Sequence, residues 1–242
     1  MLLTFWTQLS NHSNRKNTLN SPLVRSRANV SPCRNVLNQY FGTILQLIYT
    51  KLQGAPADSF KIRFARFFHL VSARLEAGYG ADYFIKQSNL LDERAYAPVY
   101  PVFVLAETQK LARPVDRKVA VISLTKTLCD SQFFAEKFQK GWANSCRNLL
   151  DLLANPPTVA AGVGDEIIAE ADVDDIGFGM NFTPLHTCKP LARDDFPDVA
   201  NVTSWVKEYM AAADQRHGGA IERFIAQRLT PEEQQAITQY IN

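Results

Sequence analysis

Residues 107–128, ETQKLARPVDRKVAVISLTKTL, decide the fold. Polar residues end one apolar helix here, and Pro114 opens the next with Asp116 in its first turn, a usual start signal. This pattern predicts a helical hairpin. A helix that must hide two apolar strips packs against neighbours on both sides, as in a stacked array, although any interior helix of an all-α domain would do the same. The second helix has two such strips, one of Val115, Val119, Ile122 and Cys129 and one of Val121, Leu124 and Leu128.

The chain from Gln39 to Asn242 carries helical periodicity. Gly54 and Pro56 end a first helix, and a second helix from about Asp58 has an aromatic stripe with a packed or partly exposed His69 beside it. The interval between helix pairs, from about residue 97 to about residue 140, is close to the roughly 40–47 residues of a HEAT unit. The sequence therefore predicts an all-α fold of stacked antiparallel helix pairs, a HEAT-repeat superhelix, closed by three short helices as a terminal cap.

Prolines set two further boundaries. Pro98 and Pro101 suit only the first turn of a helix, so a helix is expected to start near Val99 and to pair with the one from Pro114. Residues 155–198 form the one long irregular stretch, which starts at Asn155-Pro156-Pro157. Long loops in compact arrays are often functional.

Residues 1–38 are a different kind of sequence, rich in Asn, Ser and Arg and without sustained periodicity. Three interpretations are open: a disordered or artefactual leader, a genuine unstructured extension, or a targeting segment that is rich in Arg and Ser and poor in acids. The first is favoured. The domain prediction is therefore a leader at 1–38 and a helical-repeat region at 39–242, which contains the irregular acidic loop.

Composition excludes several classes of function. The chain has 46% hydrophobic residues, enough for a large core. Its formal charge of +2 includes six basic and no acidic residues at 1–57, so the body carries −4, which argues against nucleic-acid binding. No apolar run approaches the roughly 18–20 residues needed to cross a bilayer, so no membrane is expected as a partner. Four dispersed cysteines without a CxxC pair fit reduced thiols in the cytosol or nucleus.

An acidic cluster is the strongest polar feature. It has six acids and no base, and it can either raise the association rate with a basic partner or be a solvated loop. A calcium loop is disfavoured, because Ile176 and Thr183 occupy the positions where further ligands are needed. The six candidate partner-binding acids are Asp165, Glu166, Glu170, Asp172, Asp174 and Asp175.

A basic patch lies at the predicted hairpin turn. It can meet an acidic partner or pair internally with Glu107 and Asp116, and the internal role is favoured. The patch consists of Lys110, Arg113, Arg117 and Lys118. No catalytic constellation, metal-ligand set or phosphate loop is visible, so neither enzyme activity nor a cofactor is expected.

Several segments in order resemble the C-terminal end of the CAS family of nuclear export receptors, its fungal members most of all. They are residues 107–128, KGWANSCRNLLDLLANPP at 140–157, ADVDDIGFGMNFTPLHT at 171–187, and RDDFPDVANVTSWVKEYMAAADQRHGG at 193–219. The resemblance runs from about Gln39 to Asn242 and does not cover residues 1–38.

This resemblance implies an importin-β-like HEAT-repeat receptor that binds importin-α cooperatively with Ran-GTP and returns it to the cytoplasm, so it implies a location in both nucleus and cytoplasm. The N-terminal repeats, which supply the main Ran surface in such receptors, are absent from this chain. A truncated fragment that binds importin-α weakly at best is therefore expected. A HEAT-type interaction scaffold unrelated to nuclear transport is the alternative.

Overall fold

The computed structural model describes residues 31–157 and 194–240, with side chains from residue 38 onward. The chain divides into two compact units, Met1–Leu47 and Ile48–Asn242. The described part of the first unit is helical backbone that continues into the second, and the packing below concerns the second unit alone.

Ten helices run through the described residues, which contain no strand, so the predicted all-α class is correct. Helix α4 spans residues 96–108 in three consecutive segments, Tyr96–Val99, Tyr100–Leu105 and Ala106–Thr108. The other helices are α1 (Ser31–Gln53), α2 (Asp58–Ser72), α3 (Ala81–Leu91), α5 (Pro114–Asp130), α6 (Gln132–Glu136), α7 (Gln139–Ala154), α8 (Val202–Arg216), α9 (Ala220–Arg228) and α10 (Pro231–Thr238). A short 3-10 turn, Leu75–Ala77, precedes α3.

Helix α1 begins at Ser31, eight residues before the predicted start at Gln39. Proline is favoured in the first turn of a helix, where its missing N–H costs nothing. The dipeptide Ser31-Pro32 is therefore a start signal that the prediction assigned to the leader. Residues 1–30 lie outside the described residues.

Helix α4 begins at Tyr96, three residues earlier than predicted, which places Pro101 in its interior. A proline there removes one backbone donor and crowds the preceding turn. The helix accommodates it by widening into a π-helical segment, Tyr100–Leu105, in which the Ala106 N–H donates to the Pro101 carbonyl. Burial of the Tyr96 ring, 5.5 Å from that of Tyr100 and 2% exposed, accounts for the earlier start.

Helix α5 is the centre of the second unit. It packs against α2, α7 and α8, and α4 packs against α2 and α7. All seven residues of the two predicted apolar strips are buried. The prediction that this helix packs on several sides is therefore confirmed.

Hydrogen bonds and an ion pair fix the C-terminal end of α5. Trp142 of α7 donates its Nε1–H to the Leu128 carbonyl at 3.0 Å, which satisfies one of the carbonyls left free at the end of the helix. Tyr209 of α8 donates to Asp130 Oδ2 at 2.6 Å, and the Arg216 guanidinium lies 3.2 Å from Asp130 Oδ1. A carboxylate is unfavourable at a helix C-terminus, and these two partners compensate it.

His69 joins three helices inside the core. It is 1% exposed on α2, with Nε2 2.8 Å from Thr108 Oγ1 of α4 and Nδ1 3.1 Å from Ser123 Oγ of α5. The Thr108 hydroxyl donates to the Val104 carbonyl, so it accepts from Nε2–H, and Ser123 then donates to Nδ1. Burial lowers the pKa of His69 to about 3, so the imidazole is neutral and fully hydrogen-bonded.

Replacing His69 with leucine is expected to lower the free energy of unfolding by about 2 kcal/mol at pH 7, because two buried hydroxyls lose their partner. The wild-type chain should also lose stability as the pH falls below about 6.5, since the unfolded histidine takes up a proton that the folded one does not until about pH 3. The variant lacks this proton uptake. The gap in free energy of unfolding between the wild type and the variant should therefore narrow by up to about 1.4 kcal/mol for each unit by which the pH falls.

Urea unfolding of both proteins at pH 7, 6 and 5, followed by circular dichroism, measures this gap. A gap that stays constant between pH 7 and pH 5 would show that His69 is not held neutral by the fold.

Candidate partner-binding surface

The six acidic candidates fall outside the described residues, because Asp165, Glu166, Glu170, Asp172, Asp174 and Asp175 all lie within 158–193. Their role as contacts for a basic partner stays a prediction. The basic candidates Lys110, Arg113, Arg117 and Lys118 are all described, and they do not form one uniform exposed patch.

Lys110 is the most exposed of the basic candidates. Its Nζ lies 2.9 Å from Glu107 Oε1, and its side chain is 54% exposed whereas that of Glu107 is 4% exposed. Arg113 is partly exposed at the residue before α5. Asp116, the other expected internal partner, pairs with Arg66 of α2 at 2.9 Å. Lys110 and Arg113 are thus the two candidates at the α4–α5 turn.

Arg117 and Lys118 hold other parts of the chain. The Arg117 guanidinium donates to the Asn155 carbonyl at 3.2 Å, just after α7 ends. Lys118 Nζ donates to Asp194 Oδ2 at 2.7 Å, and the lysine side chain is only 4% exposed. These two consecutive residues therefore contact the chain on both sides of residues 158–193, and their partners differ from Glu107 and Asp116, the two acids that the sequence suggested.

Residues 194–199, which we call the return segment, are attached to α2 and α5 by further contacts. Asp195 pairs with Arg74 at 2.7 Å, beyond the end of α2. The Phe196 ring centroid lies 5.5 Å from Lys126 Nζ, within cation–π range. Asp194 Oδ1 also accepts the Phe196 N–H at 2.9 Å, which fixes the turn. Val199 is buried, so an apolar residue completes the attachment.

Lys126 is a second buried lysine on α5, eight residues after Lys118 and about 80° further around the helix axis. It is 5% exposed, and its Nζ donates to the Ala73 carbonyl at 2.8 Å and to Glu76 Oε1 at 2.6 Å. Because a buried ammonium is costly unless it is paired, these contacts determine where the chain leaving α2 can lie.

Sequence reasoning missed Arg74, Lys126, Asp194, Asp195 and Phe196. Their partners are far apart in sequence, and neither periodicity nor a local motif reveals such pairs. One signal was present: Lys118 and Lys126 lie about two turns apart in a helix that is expected to be buried on several sides. Because a buried ammonium is costly unless it is paired, lysines on a helix that is expected to be buried on several sides predict carboxylate partners elsewhere in the chain.

Two clefts among the described residues are small or shallow. One has room for about 30 Å³ beside Asp82 and Asp130, and the other is a shallow groove of about 350 Å³ between α4 and α7. The described residues contain no group of three or more His, Cys, Asp or Glu placed to hold a metal. Burial raises the pKa of Cys146 to about 12 and that of Cys129 further, so neither thiol is a nucleophile at neutral pH. No helix in the described ranges is long and apolar enough to cross a membrane.

Helices α9 and α10 pack against α7, and Arg228 at the end of α9 contacts α6. Arg228 donates to the Phe134 and Ala135 carbonyls at 3.2 and 2.6 Å. Arg147 of α7 binds Glu233 of α10 through Nε and Nη2 at 2.6 and 3.3 Å. Thr230 and Glu233 form a capping box at the start of α10, and the Arg147 hydrogen bond is the largest of the causes that lower the pKa of Glu233 to about 2.

The Lys118–Asp194 pair should be asymmetric in its response to mutation. Asp194→Leu leaves the Lys118 ammonium, whose side chain is 4% exposed, without its carboxylate partner. Lys118→Met leaves the Asp194 carboxylate, which is 23% exposed and still accepts the Phe196 N–H. We expect Asp194→Leu to lower the free energy of unfolding by about 3 kcal/mol and Lys118→Met to lower it by less. The double variant should be more stable than Asp194→Leu alone, since no charge is then stranded.

Urea denaturation of the wild type, both single variants and the double variant forms the complete cycle. Additive effects, or equal losses for the two single variants, would contradict the inferred burial and pairing of Lys118.

Comparisons with known proteins agree with one another. Residues 22–240 match the family model for the CAS/CSE protein C-terminus, a match that starts ahead of Gln39. An importin-alpha re-exporter from Schizosaccharomyces pombe is 24% identical over 210 residues, which are 85% of this chain and 22% of that protein. The importin alpha re-exporter of Saccharomyces cerevisiae is 21% identical over 212 residues, 86% of this chain and 21% of that protein.

Among solved structures, the exportin Cse1 in its cargo-free, cytoplasmic state matches with a TM-score of 0.61 at 19% identity. That match covers 86% of this chain and 20% of the exportin chain, and it shows a shared fold. The HEAT-repeat architecture predicted from the sequence is therefore confirmed. The chain spans about a fifth of the length of the relatives it matches.

Proposed function

The chain belongs to the CAS/CSE protein family, whose C-terminal region it matches, and from this we propose that it is part of a nuclear export receptor for importin-α. The receptor binds importin-α cooperatively with Ran-GTP in the nucleus and returns it to the cytoplasm. The observation that carries the proposal is a family match over residues 22–240, which are nearly all of the chain. The names of the two yeast relatives support the same assignment, and those relatives are transport receptors rather than enzymes.

The chemistry of this role is binding and not catalysis. GTP hydrolysis belongs to Ran, and the receptor contributes a difference in affinity between its conformations. If Ran-GTP favours the conformation that binds importin-α, then by linkage importin-α strengthens the binding of Ran-GTP by the same factor. A stack of helix pairs suits this role, since small rotations between neighbouring repeats add up along the array.

The contacts that we propose for this chain are electrostatic. Lys110 and Arg113 at the α4–α5 turn meet an acidic surface, and the acids at 165–175 meet a basic one. Arg117 and Lys118 are not direct contacts in this proposal, because Arg117 is bound to Asn155 and Lys118 is buried against Asp194. Charges near an interface mainly raise the association rate and add specificity.

The purified chain should bind importin-α weakly and without stimulation by Ran-GTP, because the resemblance assigns the main Ran surface to repeats that are not in this sequence. A chimera supplies the missing repeats: residues 22–240 replace the matching region of the Schizosaccharomyces pombe importin-alpha re-exporter. We expect this chimera to bind importin-α more tightly when Ran-GTP is present.

Pull-down and calorimetry with purified importin-α, with and without Ran-GTP, distinguish the outcomes. The intact re-exporter is the positive control. A folded chimera that fails to bind importin-α would exclude the transport role and favour a HEAT-type scaffold for another partner. Strong Ran-GTP-dependent binding by the isolated chain would contradict the assignment of the Ran surface to other repeats.

Charge reversal at Lys110 and Arg113 should slow association with importin-α about threefold to tenfold at low salt, with little change in the dissociation rate. The effect should fade as ionic strength rises, since exposed charges are screened. Lys140→Glu, on an exposed lysine of α7, is the matched control.

Surface plasmon resonance at two salt concentrations measures both rates. If Lys110→Glu, Arg113→Glu and Lys140→Glu behave alike, the α4–α5 turn is not a specific contact.

A further inference from the structure

A small cleft lies where the end of α2, the start of α3 and the end of α5 meet. It has room for about 30 Å³, and its walls include Ser72 of α2, Gly80 beside α3, and Lys126 and Thr127 of α5. The Gly80 N–H donates to the Val71 carbonyl at 3.2 Å, so a backbone hydrogen bond joins two of these walls. The cleft is therefore a fixed part of the second unit.

Ser72 is the residue of the cleft whose hydrogen bonding is incomplete. It is 1% exposed, and its Oγ has no hydrogen-bond partner within residues 31–157 and 194–240. A buried hydroxyl without a partner is costly, and nearly all such groups in proteins are bonded to protein atoms or to ordered water. Ser72 thus needs a partner that the described side chains do not supply.

Lys126 and Thr127 offer the cleft a donor and an acceptor. Lys126 is 5% exposed, and an ammonium has three N–H donors, of which two go to the Ala73 carbonyl and to Glu76. Thr127 is 2% exposed and donates its only hydroxyl proton to the Ser123 carbonyl at 2.8 Å, so its oxygen can still accept. A molecule that accepts from the lysine and donates to the threonine would satisfy both groups.

The charges around the cleft favour a neutral molecule. Lys126 is paired with Glu76, and Asp130 is paired with Arg216. Both carboxylate oxygens of Asp82 accept hydrogen bonds from the start of α6. A cation would be repelled by the Lys126 ammonium, and an anion by the two lining carboxylates. A space above about 10–15 Å³ with about two to four polar partners is enough for one water molecule.

We propose that this cleft binds a structural water, which accepts hydrogen bonds from Ser72 Oγ and Lys126 Nζ and donates one to Thr127 Oγ1. The water adds a link between α2 and α5 at the point where the chain leaves α2. It also supplies the third N–H of a buried lysine with an acceptor. This inference is independent of the proposed export function.

A double-mutant cycle on the full chain tests the shared water, since two side chains that bond to one molecule do not lose it independently. The variants are Ser72→Ala, Thr127→Val and the double variant. Thr125→Val is the matched control: Thr125 is 0% exposed on the same helix and donates to the Val121 carbonyl at 2.9 Å, as Thr127 does to Ser123, but it does not line the cleft.

Thr127→Val should lower the Tm by about 2–4 °C more than Thr125→Val, because only the first also removes a partner of the water. Ser72→Ala should lower the Tm of the wild type, and it should lower it less, or raise it, once residue 127 is valine. In the Thr125→Val background its effect should match that in the wild type. Thermal unfolding followed by circular dichroism measures these shifts, and the change in helix propensity at residue 72 cancels in the cycle.

A high-resolution crystal structure of the full chain, grown with rubidium chloride, identifies the bound species. We expect one density peak within about 3.2 Å of Ser72 Oγ, Lys126 Nζ and Thr127 Oγ1, without anomalous signal. An anomalous peak in the cleft would show a cation, and it would overturn the proposal. A cleft without a density peak would also overturn it, as would effects of Ser72→Ala and Thr127→Val that are additive.

Discussion

The second unit depends on one constraint, the burial of α5 between α2, α7 and α8. A helix surrounded in this way must satisfy every polar side chain it carries, and α5 carries two lysines that are nearly fully buried. Lys126 finds its partners at the end of α2, and Lys118 finds its partner at Asp194. The course of the chain after α2 and after residue 193 follows from the need to pair these ammonium groups.

His69 meets the same constraint without charge. Its ring lies where α2, α4 and α5 converge, and one neutral tautomer satisfies Thr108 and Ser123 together. Apolar packing alone tolerates small sliding of one helix along another, whereas a hydrogen bond of about 3 Å does not. The three helices are thus held in register by a polar group in the core, while the surrounding apolar residues supply most of the stabilisation.

The sequence predicts where the helices lie better than it predicts how they are modified by tertiary packing. The apolar strips of α5, the stop at Gly54 and the capping box at Thr230 are local patterns, and the structure contains all three. The π-helical widening around Pro101 was missed because proline was allowed only a first-turn position, whereas burial of the Tyr96 ring extends the helix beyond it. Ser31-Pro32 was a local signal too, but its polar surroundings made it look like part of a leader.

The candidate site was less predictable for a physical reason. A basic patch in sequence is defined by neighbours along the chain, whereas the fate of each cation depends on which carboxylate or carbonyl the fold brings to it. Lys110 and Lys118 have the same side chain, yet one is 54% exposed and the other is 4% exposed and bound to a residue 76 positions later. Their positions separate them: Lys118 lies in the buried helix α5, whereas Lys110 lies in the exposed turn before that helix. A lysine on the apolar face of a predicted interior helix is therefore better interpreted as the partner of a carboxylate that is distant in sequence than as part of a docking surface.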